Sequence, residues 1–146
     1  MRQYIVDACI VVKWVLAGEP YEEKSIQLKK DYLSGIVNLS APSFIVQEVA
    51  NSLWKATSQR RILKEDAQEA LKILQDMRID LHEFNWIEIS QALNVACKLN
   101  LAIYDSSYLL LSEKLKTEII TADEQLIQKA RDYFQVLHIK DYLLKS

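Results

Sequence analysis

Four acids stand where this sequence is otherwise apolar. Asp7 closes the run Tyr4-Ile5-Val6, and Asp123 follows Ile119-Ile120-Thr121-Ala122. Glu48 lies inside Phe44-Ile45-Val46-Gln47-Glu48-Val49-Ala50, and Asp105 sits at the head of Tyr104-Asp105-Ser106-Ser107-Tyr108-Leu109. An ionised carboxylate beside a core is costly unless a cap, an ion pair or a bound cation compensates it. Oxygen donors of this type suit a hard divalent cation, and Mg²⁺ in particular takes one or two carboxylates and keeps several waters. Clustered carboxylates repel one another and titrate together, so a cation would relieve them. A cation held in this way polarises a phosphoryl oxygen, orients a water and stabilises the leaving oxyanion. The chemistry that these residue types point to is metal-assisted phosphodiester hydrolysis.

Each acid also has a plain structural reading. Thr121-Ala122-Asp123-Glu124 fits a capping box with Thr121 as N-cap and Glu124 at the third helical position, which makes Asp123 an ordinary first-turn acid. Asp105 can be an N-cap for the helix carrying Tyr108 and Leu109, and Glu48 can lie on a solvated helix face. Asp7 can cap a short helix after the first strand. It is nonetheless the hardest to explain in this way, because it interrupts an apolar stretch from Tyr4 to Val12. The functional reading rests on the set of four.

The elements that must position these acids follow from pattern. Residues 3–7 read as a short buried strand, and 11–17 as a short helix stopped by Gly18 and Pro20. Residues 21–34 form a charged amphipathic helix ending at Gly35, and 37–41 a second strand. Pro42-Ser43 opens a helix over 43–59. Its apolar stripe is Ile45, Val49, Leu53 and Ala56, widened by Val46, Ala50 and Trp54, and its polar stripe is Glu48, Asn51, Ser52 and Lys55. Residues 64–77 form a further helix with Ala67, Ala70, Leu71, Leu74 and Met77 facing in. A strand at 80–84, helices at 86–99 and 105–116, a strand at 118–121, a helix at 123–133 and a strand at 136–139 complete the chain. Strands alternating with helices predict a three-layer α/β/α sandwich with a mostly parallel sheet, and the helical excess over 43–77 predicts a projecting αα-hairpin. Ligands of open α/β sheets bind outside the carboxyl ends of strands, where Asp7 and Asp123 both fall.

Composition narrows the classes. With 146 residues, half of them hydrophobic, the expectation is one globular domain spanning 1–146. Cys9 and Cys97 sit among apolar neighbours and read as reduced thiols of a cytoplasmic protein, and the isolated His82 and His138 read as structural, so zinc is not expected. Lys13 breaks the first apolar run before it could serve as a signal peptide, and no run approaches the ~20 residues of a membrane span. A net charge of −2 excludes a global basic field and weakens a nucleic-acid-coating reading.

The same residues carry a family resemblance that runs essentially end to end. Its landmarks are Tyr4-Ile5-Val6-Asp7-Ala8 with Val12-Lys13-Trp14-Val15, and Pro42-Ser43 leading to Glu48-Val49-Ala50-Asn51-Ser52-Leu53-Trp54-Lys55. Tyr104-Asp105-Ser106-Ser107-Tyr108-Leu109 and Thr121-Ala122-Asp123-Glu124 complete the set. In this order the chain resembles a PIN-domain ribonuclease of the VapC toxin type, from type II toxin–antitoxin systems. The resemblance implies a PIN-like sandwich and a Mg²⁺- or Mn²⁺-dependent endoribonuclease. It implies that Asp7, Glu48, Asp105 and Asp123 form the acidic, metal-holding pocket, supported by Asn51 and Thr121. The family places a small hydroxyl or amide residue two positions after the first Asp. Here that residue is Cys9, whose thiol is a poorer donor and is expected to contribute little. The resemblance further implies a cognate antitoxin protein and a homodimer.

RNA handling needs positive charge near the pocket. The candidates are Lys13, just past the first strand, Lys55 on the Glu48 face, and Arg60 and Arg61; such contacts would position RNA without reading its sequence. Trp14, Tyr21, Tyr32 and Trp54 are candidates for a partner groove, although aromatics at helical spacing are more often core. Two other readings remain open: a non-catalytic module of the same fold that binds RNA or protein, and a hydrolase of small phosphoesters. The latter ranks last, since the chain has neither a Gly-rich phosphate loop nor a DxDxT-like motif.

Overall fold

The computed structural model describes residues 1–143. Its centre is a five-stranded sheet in the order β3-β2-β1-β4-β5, and every adjacent pair is parallel. The strands are β1 (Arg2–Val6), β2 (Val37–Pro42), β3 (Asp80–His82), β4 (Glu118–Thr121) and β5 (Val136–His138). The helices are α1 (Ala8–Val15), α2 (Glu22–Leu33), α3 (Ile45–Ser58), α4 (Lys64–Asp76), α5 (Trp86–Leu99), α6 (Ile103–Leu115) and α7 (Glu124–Ala130). Parallel neighbours require crossovers, and each is made by one or two of these helices.

The central strand β1 shows why the layers form. Tyr4 and Val6 face one core, together with Ile10, Val11, Leu28 and the α3 stripe Ile45, Val49, Leu53 and Ala56. Ile5, one residue out of phase, faces a second core with Tyr108, Leu109, Leu111, Ile119 and Leu126. Period-2 alternation thus feeds two apolar layers, as a parallel sheet buried on both sides demands. The α3 stripe is the expected one, but the widening to Val46 and Trp54 is not buried: these side chains are 46% and 64% exposed.

Helix α4 has no fully buried residue. Ala67, Ala70, Leu71 and Leu74 are partly buried against the first core, into which α3 sets its buried stripe, so the pair α3 and α4 flanks the sheet. Gly35, at φ +77°, follows α2 in the left-handed region that glycine tolerates best, and it turns the chain into β2.

The strand order reverses between β1 and β4. From β1 the chain moves outward through β2 to β3, and β4 then adds on the opposite side of β1 before β5. This is a topological switch point, where the loops after adjacent strands part and leave a crevice. Asp7 follows β1 and Asp123 follows β4, so both line that crevice.

Candidate functional site

Asp7 is the most constrained of the four acids. Its backbone N–H continues the β1–β4 pairing by donating to the Ile120 carbonyl at 3.2 Å, which locks the residue to the end of the sheet. It occupies the N-cap position of α1, yet its side chain makes no capping bond. Instead Asp7 Oδ2 accepts from Thr121 Oγ1 at 2.7 Å and from the Cys9 thiol at 3.4 Å. The carboxyl is only 8% exposed. Burial holds its pKa above the ordinary carboxylate range, the bonds from Thr121 and Cys9 pull it back, and the charge of Asp123 raises it further.

Asp123 is the N-cap of α7: its Oδ1 accepts from Gln125 N–H at 3.0 Å and Leu126 N–H at 3.1 Å. The expected capping box with Thr121 as N-cap is therefore corrected. Thr121 is the last residue of β4, and its Oγ1 accepts from Asp123 N–H at 3.0 Å while donating to Asp7. A helix cap and an acid that faces the crevice are here the same residue, because the capping bonds use only one carboxylate oxygen.

Asp105 is not an N-cap either. That position is Ala102, and Asp105 is the third residue of α6, in its first turn. Burial, then the charges of Asp7 and Asp123, raise its pKa to about 6, with Lys129 opposing. Glu48 lies in the first turn of α3, half-buried, with Oε1 accepting from Tyr108 Oη at 2.8 Å. Burial lifts its pKa to about 7, against the Tyr108 hydrogen bond and with Asp7 and Asp105 adding repulsion.

All four acids line one cleft of about 550 Å³, with Asn51, Lys13, Lys55 and Arg61 among the other lining residues. Arg60 does not line it; it stands exposed at φ +59° in the turn after α3. Arg61 reaches Glu19 at 3.6 Å, a contact that joins the turn after α3 to the turn after α1 at the side of the cleft. The expectation that Cys9 contributes little is also corrected. Besides its contact with Asp7, its sulfur lies 3.5 Å from Thr121 Oγ1 and accepts from Ala122 N–H at 3.4 Å. Burial and the nearby Asp7 charge push the thiol pKa up, so it stays a donor.

Tyr108 was missed by sequence reasoning. Its spacing from Asp105, three residues along a helix, was the available signal, since such residues share a face. The aromatics expected near a groove divide: Trp14 Nε1 donates to the Ser25 carbonyl at 2.7 Å and Tyr32 Oη to the Met77 carbonyl at 2.8 Å, both half-buried, whereas Tyr21 and Trp54 are exposed. Another buried acid, Asp31, has an ordinary explanation, accepting from Gln27 Nε2 at 2.9 Å and from the Tyr142 hydroxyl. His138 caps the 3₁₀ turn Ile139–Asp141 by accepting from Lys140 N–H at 3.0 Å, and His82 pairs with Asp80 at 3.0 Å.

Oxygen donors that repel one another fit a hard cation bound partly through water. Among the described residues no three His, Cys, Asp or Glu side chains stand close enough together to form a coordination group. No helix among them is long and apolar enough to cross a membrane.

A doubly wound parallel sheet with an acidic cleft at its switch point defines the class: an α/β protein built to gather carboxylates. Comparison with known proteins makes this specific. The sequence profile of the PIN domain matches residues 4–132. Ribonuclease VapC3 of Pyrobaculum aerophilum is 31% identical over 113 residues, covering 74% of this chain and 82% of that protein. The solved structure of PAE2754 from Pyrobaculum aerophilum superposes with a TM-score of 0.69 at 22% identity, over 95% of this chain and 85% of the other. VapC20 of Mycobacterium tuberculosis, described as a sarcin-ricin loop cleaving toxin, superposes at 0.67 and 13% identity, over 90% and 95%. VapBC2 of Rickettsia felis, bound to a promoter DNA fragment, gives 0.63 at 14%, over 93% and 98%. The chain belongs to the PIN-domain family, among relatives that include VapC-type ribonucleases.

Proposed function

We propose that this chain is a Mg²⁺- or Mn²⁺-dependent endoribonuclease and the toxin of a toxin–antitoxin pair. The observation that carries the reading is the convergence of Asp7, Glu48, Asp105 and Asp123 on one cleft that also holds Lys13, Lys55 and Arg61. Asp7, Asp105 and Asp123 would hold the cation, with Glu48 and Asn51 beside them. When bound, the metal supplies electrophilic assistance to a phosphoryl oxygen and a more acidic water. The chain's own contribution is positional. Thr121 and Cys9 hold Asp7 at the sheet end, and Lys13, Lys55 and Arg61 bind phosphate. Glu48, half-buried and repelled by Asp7 and Asp105, adds a further carboxylate toward the same cation.

A cognate antitoxin and a second copy of the chain are the proposed protein partners. Trp86, Ile87 and Leu93 on α5 are 89%, 70% and 55% exposed and offer apolar side chains that such a partner would cover. The single-domain organisation over 1–146 belongs to the same proposal.

The test is incubation of the purified full chain with structured RNA, with and without Mg²⁺, followed by mapping of the new ends. Metal-dependent internal cuts that vanish in Asp7→Asn are expected. RNA bound but never cut, with growth inhibition unchanged after neutralisation of all four acids, would identify a binding module instead.

A further inference from the structure

Helix α6 serves the cleft in two ways. Asp105 lines it directly, while Tyr108, three residues on and therefore on the same face, is buried behind it and donates its hydroxyl to Glu48. The ring of Tyr108 is 1% exposed and packs edge-on against Phe44, with centroids 5.6 Å apart. Phe44 immediately precedes α3, four residues before Glu48. The tyrosine therefore meets the start of α3 at two places, by its ring at Phe44 and by its hydroxyl at Glu48 Oε1, 2.8 Å away. Glu48 springs from a helix whose buried stripe is Ile45, Val49, Leu53 and Ala56, so nothing in that stripe directs its long side chain.

We infer that Tyr108 is a positioning residue for Glu48: its hydroxyl commits Oε1 and leaves Oε2 as the single oxygen that Glu48 offers to a cation in the cleft. The inference rests on the metal-dependent reading above and deepens it. Asp105 and the grip on Glu48 ride on one helix, so α6 sets the spacing of two acids that belong to different elements. A free glutamate would sample several rotamers and lose that freedom on binding metal; the hydrogen bond removes the loss in advance.

The experiment is Mn²⁺ binding to the purified full chain without RNA, followed by the resonance of the free ion. Tyr108→Phe keeps the ring and deletes only the hydroxyl. It is expected to weaken Mn²⁺ binding on the order of tenfold, the usual effect of a lost hydrogen bond to a charged group. In a Glu48→Ala background the same substitution is expected to cost nothing more, because its target is gone. A metal-free thermal melt checks the fold, and Tyr108→Met, an adaptable apolar filler without a hydroxyl, replaces Phe if that variant does not fold. Equal Mn²⁺ affinity in wild type and Tyr108→Phe overturns the inference, as does the same loss with and without Glu48. Wild-type protein that binds no Mn²⁺ overturns the metal-dependent reading itself, and the inference with it.

Discussion

Thr121 Oγ1 donates to Asp7 Oδ2 at 2.7 Å, joining the ends of two adjacent parallel strands through a side chain. The same oxygen accepts from Asp123 N–H, so one hydroxyl sets both the acid after β1 and the backbone that carries the acid after β4. Thr121→Val keeps the shape and removes the hydroxyl. It leaves a buried carboxylate short of a donor, for which about 1–3 kcal/mol of destabilisation is expected. Cleavage should fall by at least about tenfold, since Asp7 then keeps only the weaker thiol bond. Denaturant unfolding and single-turnover RNA cleavage check the two parts.

Asp7 separates stability from function. Its pKa is raised mainly by burial, so the folded chain bears a cost for its charge. Asp7→Asn should abolish detectable cleavage while leaving the metal-free melting temperature equal to or above that of wild type. A lower melting temperature would mean that the carboxylate is structurally favourable, contrary to its surroundings.

The raised pKa values fix the sign of a pH dependence. Glu48, at about 7, and Asp105, at about 6, hold protons in the folded state that the unfolded chain releases at its ordinary carboxylate values near 4. Their stabilising contribution is complete below those ordinary values and is lost as pH rises through about 6 to 7. Metal-free protein should therefore lose melting temperature between pH 5 and pH 8, by roughly 3–6 °C. Added Mg²⁺ should restore it at pH 8 and do little at pH 5. Calorimetric scans at both pH values with and without the ion test this.

Arg61 and Arg60 are neighbours in sequence and differ in place. Arg61 lines the cleft and meets Glu19, whereas Arg60 does neither. Arg61→Ala is expected to weaken binding of single-stranded RNA more than Arg60→Ala, and with a steeper reduction in salt dependence. The Glu19 contact is exposed and worth at most about 1 kcal/mol, so neither arginine variant should unfold the chain. Fluorescence anisotropy over a salt series distinguishes them.

Cys9 gives a conservative test of the hydrogen-bonded group around Asp7. Cys9→Ser retains a donor and should keep cleavage within about threefold, while Cys9→Ala should lose about tenfold. Equal rates in the two variants would leave the thiol as packing alone.

Much of this was legible in one dimension. Alternation at Tyr4, Ile5 and Val6, the stripe of α3 and the acids at strand ends are local patterns, and each became the element or placement expected. What local pattern misjudged were the caps. A capping box and an N-cap aspartate were read at Thr121 and Asp105, but backbone pairing carries β4 through Thr121, and α6 begins two residues before Asp105. The thiol of Cys9 was undervalued for a related reason: its partners Thr121 and Ala122 lie 112 and 113 residues away. The grip of Tyr108 on Glu48, across 60 residues, was equally out of reach.

The sequence by itself determined the elements, the two-sided sheet and the identity of the carboxylates, because these depend on side-chain periodicity and on residue types at element ends. The tertiary structure alone decided which of those acids converge, through a strand order that reverses between β1 and β4 and opens a crevice there. It also decided what holds them, since a hydrogen bond between distant residues exists only once a sheet and two helices have brought donor and acceptor within about 3 Å.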